Sequence, residues 1–148
     1  MNVKRFSLQA VLDLRLRAKE RAEEALRAAH QALHVAREMR AGAEAELERM
    51  AEMISGERLL ASARHQGWVA YTGQTDFCKL LQAHEREKEA QVEAATQLLV
   101  RARCDHELVL KLREKWERAR QAEFARREER QLEEFFTSSR YVEGSIAC

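Results

Sequence analysis

The sequence predicts an all-α protein, a long two-helix antiparallel coiled-coil hairpin, and three observations carry that prediction. Charged residues make up 34% of the chain, aromatics only 6%, and none of the 148 residues is proline, a composition unlike that of a compact globule. Ala, Glu, Arg, Leu and Gln fill the sequence, and these residues lose little rotamer freedom in a helix. Apolar residues return at heptad spacing in two segments, which are separated by a glycine-bearing break.

The first element is a helix over 4–54. Alternating steps of four and three residues from Leu8 reach Leu12, Arg15, Lys19, Ala22, Leu26, Ala29, Leu33, Ala36, Arg40, Ala43, Leu47, Met50 and Ile54. All but Arg15, Lys19 and Arg40 are apolar, and the intervening residues are mostly Glu, Arg, Gln and Ala. The buried stripe is therefore narrow, enough for about one partner helix. The break follows at 55–67: residues 55–75 hold Gly56, Gly67 and Gly73, and glycine inside a helix costs roughly 1 kcal/mol relative to alanine. A turn is expected there.

The second helix is expected over 68–136. From Phe77 the same steps pass Leu81, His84, Lys88, Gln91, Ala95, Leu98, Ala102, Asp105, Val109, Leu112, Trp116 and Ala119, a weaker seam with a polar middle. Two helices that each bear one apolar stripe cover one another by folding back, so 1–136 forms one hairpin. Equal distances from the connector set Leu8 opposite the region of Glu114, and everything beyond about Ala119 overhangs. In that overhang Phe124, Leu132, Phe135 and Phe136 form a new apolar set that calls for a partner, either the N-terminal turn, a second copy or another protein. Residues 137–148, TSSRYVEGSIAC, show no helical period and are expected as a flexible tail. Outside the seams, Asp13 and Arg17, Glu23 and Arg27, Glu114 and Arg118, and Glu123 and Arg127 are spaced for i,i+4 ion pairs on solvated faces.

Charge and composition narrow the function classes. Lys and Arg number 26 against 25 Asp and Glu, a formal net charge of +1, so no field of one sign is present to attract phosphate backbones and no nucleic-acid partner is expected. There is no signal-peptide core and no run of ~18 apolar residues. A cytoplasmic protein without direct membrane insertion is the expectation. Cys78, Cys104 and Cys148 are few and far apart, as for reduced thiols.

Catalytic and metal motifs are lacking: there is no phosphate-cradling glycine loop, HExxH or paired CxxC. His30 and His34 share a helix face, which reads as two solvated histidines in the absence of a third ligand. Cys104 and His106 point to different faces. No enzyme activity, metal or cofactor is expected. The aromatics near the connector are left to explain: Trp68 reads best as a plug of the turn, Tyr71 and Phe77 as anchors for a partner, and Trp116 as core.

The opening RFSLQAVLDLRLRAKERAEEAL, the central Gly- and Ser-containing break, the run GWVAYTGQTDFCKLL and the closing EERQLEEFF together resemble the flagellar export protein family FliJ and its injectisome counterpart SctO (YscO-like). The resemblance covers nearly the whole chain, although Gly73 between Tyr71 and Phe77 departs from the family's aromatic run. It implies the central stalk of a type III secretion apparatus, peripheral to the membrane, whose two helix termini enter a hexameric export ATPase. The tip then meets the cytoplasmic domain of the export gate membrane protein, and export chaperones are further partners. On this chain the resemblance implies ATPase binding by Phe6, Leu8, Leu12, Arg127, Leu132 and Phe135, and export-gate binding by Tyr71, Phe77, Leu81 and His84. The competing expectation is a structural or scaffold coiled coil, in one form a parallel homodimer, unrelated to secretion.

Overall fold

The computed structural model describes residues 5–56 and 60–146, with side chains to Arg140. The protein is all-α: α1 spans Gln9–Ser55 and α2 spans Ala61–Ile146, with no strand among the described residues. The chain divides into two units, Arg17–Arg103 and, separately, Met1–Leu16 with Cys104–Cys148.

Within Arg17–Arg103 the helices run antiparallel. Glu23, early in α1, accepts from Arg103, late in this part of α2, whereas Gln74 Nε2, early in α2, donates to the Ala43 carbonyl at 3.1 Å. The buried α1 residues are Leu33, Ala36, Ala43 and Ile54, and beside Glu23, Ala32 and Glu46 on the flanks, the half-buried ones are Lys19, Ala22, Leu26, Ala29, Arg40, Leu47 and Met50. Apart from the three flanking residues, these lie on the stripe that the heptad spacing picks out. Alanine returns every seventh residue at Ala22, Ala29, Ala36 and Ala43, and a row without long side chains lets α2 approach closely. The reach of the Gln74 amide to an α1 carbonyl is a direct result.

On α2 the seam differs from the expected one. Its covered residues here are Cys78, Leu81, Glu85, Lys88, Val92, Ala95, Leu99 and Ala102, so every second expected member, Phe77, His84, Gln91 and Leu98, is replaced by the residue after it. Steps of three then four fit α2 as well as four then three, because Leu98 and Leu99 are both apolar. Pairing with α1 decides between them. Glu85, the buried charged residue of the core, is 7% exposed. Arg37 Nε donates to its Oε1 at 3.3 Å, and Arg37 Nη2 to Glu89 at 3.0 Å. Arg40 Nη1 lies 2.9 Å from Oε2 but off the N–H direction, so that oxygen is held by charge without a hydrogen bond. The Arg37 guanidinium is pushed above its ordinary pKa, first by the hydrogen bond to Glu89, which outweighs the opposing effect of desolvation, with a smaller upward contribution from Glu85. A raised arginine contributes its stabilisation at every pH below its ordinary value, so changes near neutrality leave it intact.

The other unit holds the first turns of α1 and the later part of α2. Leu12 is its buried α1 residue, at 5% exposed. Asp105, His106, Val109, Arg113, Trp116 and Glu117 are half-buried along α2, so Asp105 keeps its expected place beside His106, and Leu112 gives way to the residue after it. Phe6 packs on Trp116 with ring centroids 5.7 Å apart, the register that sets Leu8 opposite Glu114. Arg15, expected in the seam, is exposed and pairs with Asp105 at 2.9 Å.

The helix bounds depart from expectation in three places. α1 begins at Gln9, and Lys4 lies outside the described residues. α2 begins at Ala61 instead of 68 and runs through Gly67 and Gly73, so most of the expected 55–67 connector is helical, with residues 57–59 outside the described set. Gly67 sits against the end of α1, where an added Cβ would stand 3.0 Å from Ile54 Cγ1; its bareness serves packing, not turning. The hydroxyls of Thr72 and Thr75 donate to the Trp68 and Tyr71 carbonyls one turn back, which absorbs their competition with the helix. The expected tail 137–148 is also helical as far as Ile146, with Thr137 and Ser138 bonding to Glu133, Glu134 and Phe135 carbonyls in the same way. Residues 147 and 148 lie outside the described set.

Two stability predictions follow from these contacts. Gly73 has nothing within 4 Å of an added Cβ, so Gly73→Ala is expected to stabilise by about 1 kcal/mol in thermal denaturation, and Gly67→Ala by less. Replacing Arg37 and Arg40 together by Ala strands Glu85 and is expected to cost about 2–3 kcal/mol. Glu85→Leu, which removes the buried charge itself, is expected to change stability by less than about 1 kcal/mol. Equal losses in chemical denaturation of the two variants would show that the arginines act by packing alone.

Candidate interaction surfaces

Within Arg17–Arg103, the aromatic residues gather at the connector end. Trp68 and Tyr71 meet edge to face with centroids 5.5 Å apart, and with Ala51, Ile54, Ser55 and Arg64 they line a shallow groove. Arg64 also caps the end of α1, donating to the Gly56 carbonyl at 3.5 Å. The roles expected of the two aromatics are exchanged. Tyr71 occupies the seam and is half-buried, whereas Trp68 stands beside it at 54% exposed, because the seam phase that selects Leu81 and Glu85 also selects position 71.

The same phase separates the residues expected to bind an export gate. Phe77, at 47% exposed, and His84, also exposed, flank the seam one turn pair apart, while Leu81 is buried at 7%. Leu81 therefore faces α1 and is core. The exposed apolar neighbours that complete a surface with Phe77 are Val69 and Leu80, which sequence spacing did not single out because neither belongs to a seam.

In the unit of Met1–Leu16 and Cys104–Cys148, the residues expected to bind an ATPase fall into two kinds. Phe6 and Leu12 are committed to packing, and Leu8 is 38% exposed. Arg127, Leu132 and Phe135 lie on the stretch of α2 from Arg118 to Arg140, where every residue is exposed. Arg127 pairs with Glu123 one turn back, and Phe135 meets Phe136 edge to face with centroids 6.2 Å apart. At the start of this stretch Trp116, Glu117, Arg120, Gln121 and Phe124 border a second shallow groove, with the Arg120 guanidinium 5.4 Å from the Trp116 ring, a cation–π contact. Phe124 belongs to the apolar set that the sequence marks beyond Ala119, whereas nothing in the sequence singles out Arg120.

Titratable groups elsewhere do not converge. His34 Nε2 is 3.3 Å from Glu38, both well exposed, and among the described residues no group of three or more His, Cys, Asp and Glu could hold a metal ion. Cys104 is exposed and Cys78 half-buried, while Cys148 lies outside the described residues. No helix among them is long and apolar enough to cross a membrane. Comparison with known proteins gives no match: no family model fits the chain, and neither a curated protein nor a solved structure is significantly similar to it.

The division between seam and flank has a direct test. Leu81→Ala is expected to cost about 2–4 kcal/mol in urea denaturation, as for a buried leucine truncated in a core. Phe77→Ala should cost less than about 1 kcal/mol, and comparable losses would place Phe77 in the core instead.

Proposed function

We propose that the protein is a non-enzymatic stalk or coupling protein of a type III export apparatus, flagellar or injectisome. It binds a hexameric export ATPase through the exposed part of α2 and the export gate through the connector end, and assists export chaperones. The observation that supports this best is the run from Arg118 to Arg140, a helix with Phe124, Leu132, Phe135 and Phe136 exposed at 57–68%, beside the resemblance of the sequence to FliJ and SctO. A helix that leaves four large apolar side chains in water is suited to another protein's surface. On this reading the ATPase-facing residues are Arg127, Leu132 and Phe135 with Leu8, while Phe6 and Leu12 hold the structure that presents them. The gate-facing residues are Trp68, Phe77 and His84, while Tyr71 and Leu81 hold the seam behind them.

A stalk of this kind needs no active site. It changes hydrolysis in a ring by binding the ring's states with different affinities, and the chemistry belongs to the ATPase. Its place would be the cytoplasm, against the membrane-embedded apparatus. Leu132→Ala with Phe135→Ala is expected to abolish stimulation of the cognate ATPase in a steady-state hydrolysis assay, with thermal stability shifted by no more than about 0.5 kcal/mol because both residues are exposed. Unchanged stimulation would remove the assignment of this stretch.

A further inference from the structure

The exposed stretch of α2 is unevenly charged along its length. Residues 118–127 contain four arginines, Arg118, Arg120, Arg126 and Arg127, and one glutamate; residues 128–140 contain four glutamates, Glu128, Glu129, Glu133 and Glu134, and two arginines, Arg130 and the last residue, Arg140. The net charge of the whole chain, +1, conceals this division. Laid side by side in parallel, two such helices set basic on basic and acidic on acidic. Laid antiparallel, each half meets its opposite.

Helical geometry adds a matching apolar surface. At about 100° per residue, Gln121, Phe124, Glu128, Gln131, Phe135 and Ser138 fall on one stripe with alternating steps of three and four. Reversed upon itself, that stripe places Phe124 against Phe135 of the second copy and Glu128 against Gln131. On one flank Ala125 then meets Leu132, and on the other Arg127 meets Glu134, each twice by symmetry. Phe124, Leu132 and Phe135 are 59%, 57% and 68% exposed, so the surface is open to a partner.

We infer that a second copy of this chain covers this surface, two α2 extensions pairing antiparallel with Phe124 on Phe135 and Arg127 on Glu134. The inference does not rest on a role in export; were that role to hold as well, a self-paired extension would be withheld from the ATPase. The central Glu128 and Gln131 layers are polar, which weakens the pair while fixing its register. With two phenylalanines from each copy, the dimer should dissociate in the range of about 10–100 µM.

The test is sedimentation equilibrium of the full chain, alone, from low to high micromolar concentration. The wild-type chain should pass from monomer to dimer. Arg127→Glu and Glu134→Arg should each weaken the dimer by about tenfold or more, since attraction at two symmetric sites becomes repulsion. The double variant R127E/E134R should restore it. Restoration cannot arise inside one helix, because the double variant leaves residue 127 like-charged with Glu123 and residue 134 like-charged with Arg130. A monomer throughout, a dimer indifferent to the single changes, or a double variant no better than the singles would overturn the pairing and leave the surface to another occupant.

Discussion

The placement of one carboxylate organises α2. A two-helix pair offers no interior deep enough to neutralise a charge by surrounding it, so Glu85 is tolerable at a seam position only where cations reach it from the facing helix. Arg37 and Arg40 do this from neighbouring turns, with their side chains 56% and 35% exposed, so that both cations stay partly in water. A slip of α2 by one residue would carry Glu85 from the arginines and rotate Leu81 and Leu99 out of the seam. Aliphatic residues alone would specify the alternative less sharply, since Leu98 stands ready beside Leu99. The ionic contact contributes selectivity among registers more than net stability, the use of buried polar groups that coiled coils attest best.

From that register come the two different characters of the surfaces. With Leu81 and Tyr71 turned toward α1, Phe77, Leu80, Val69 and Trp68 are left at the sides and the tip. Two helices alone do not enclose a large side chain completely: among the described residues the core leucines keep a few per cent of their surface exposed and none of the large side chains is fully buried. Apolar groups that a thicker protein would hide are therefore presented to solvent along the sides of the helix pair.

Much of this was legible in the residues. The all-α class, the seam of α1 from Leu12 to Ile54 apart from Arg15, and the setting of Leu8 opposite the region of Glu114 follow from heptad spacing and equal distances from the connector, because α1 mixes apolar and charged positions cleanly. The α2 seam was not, because six pairs of adjacent residues from Phe77 and Cys78 to Leu112 and Arg113 offer two phases of similar polarity; only the arginines of α1 separate them. The hint lay in Arg40, a cation at a seam position that requires an acid across from it. The helix ends were misread for another reason. Gly67, Gly73, Thr72, Thr137 and Ser138 are turn formers in isolation, but packing against Ile54 occupies the first and hydroxyl bonds to the preceding turn satisfy the last three.

The extension beyond Trp116 follows a different logic from the paired part. There, charges sit where an opposite helix answers them: Glu23 with Arg103, Arg15 with Asp105, Glu85 with two arginines. From Arg118 onward no cross-helix ion pair is formed among the described residues, and the observed pairs are local, Glu114 with Arg118 and Glu123 with Arg127. Local i,i+4 pairs stabilise a helix by only a few tenths of a kcal/mol each, and they do not require arginines to precede glutamates in blocks. Intermixed charges would serve solubility and helicity equally well. Segregated blocks beside exposed phenylalanines instead favour one direction of approach over the other, so the extension carries an orientation preference that its own hairpin does not use.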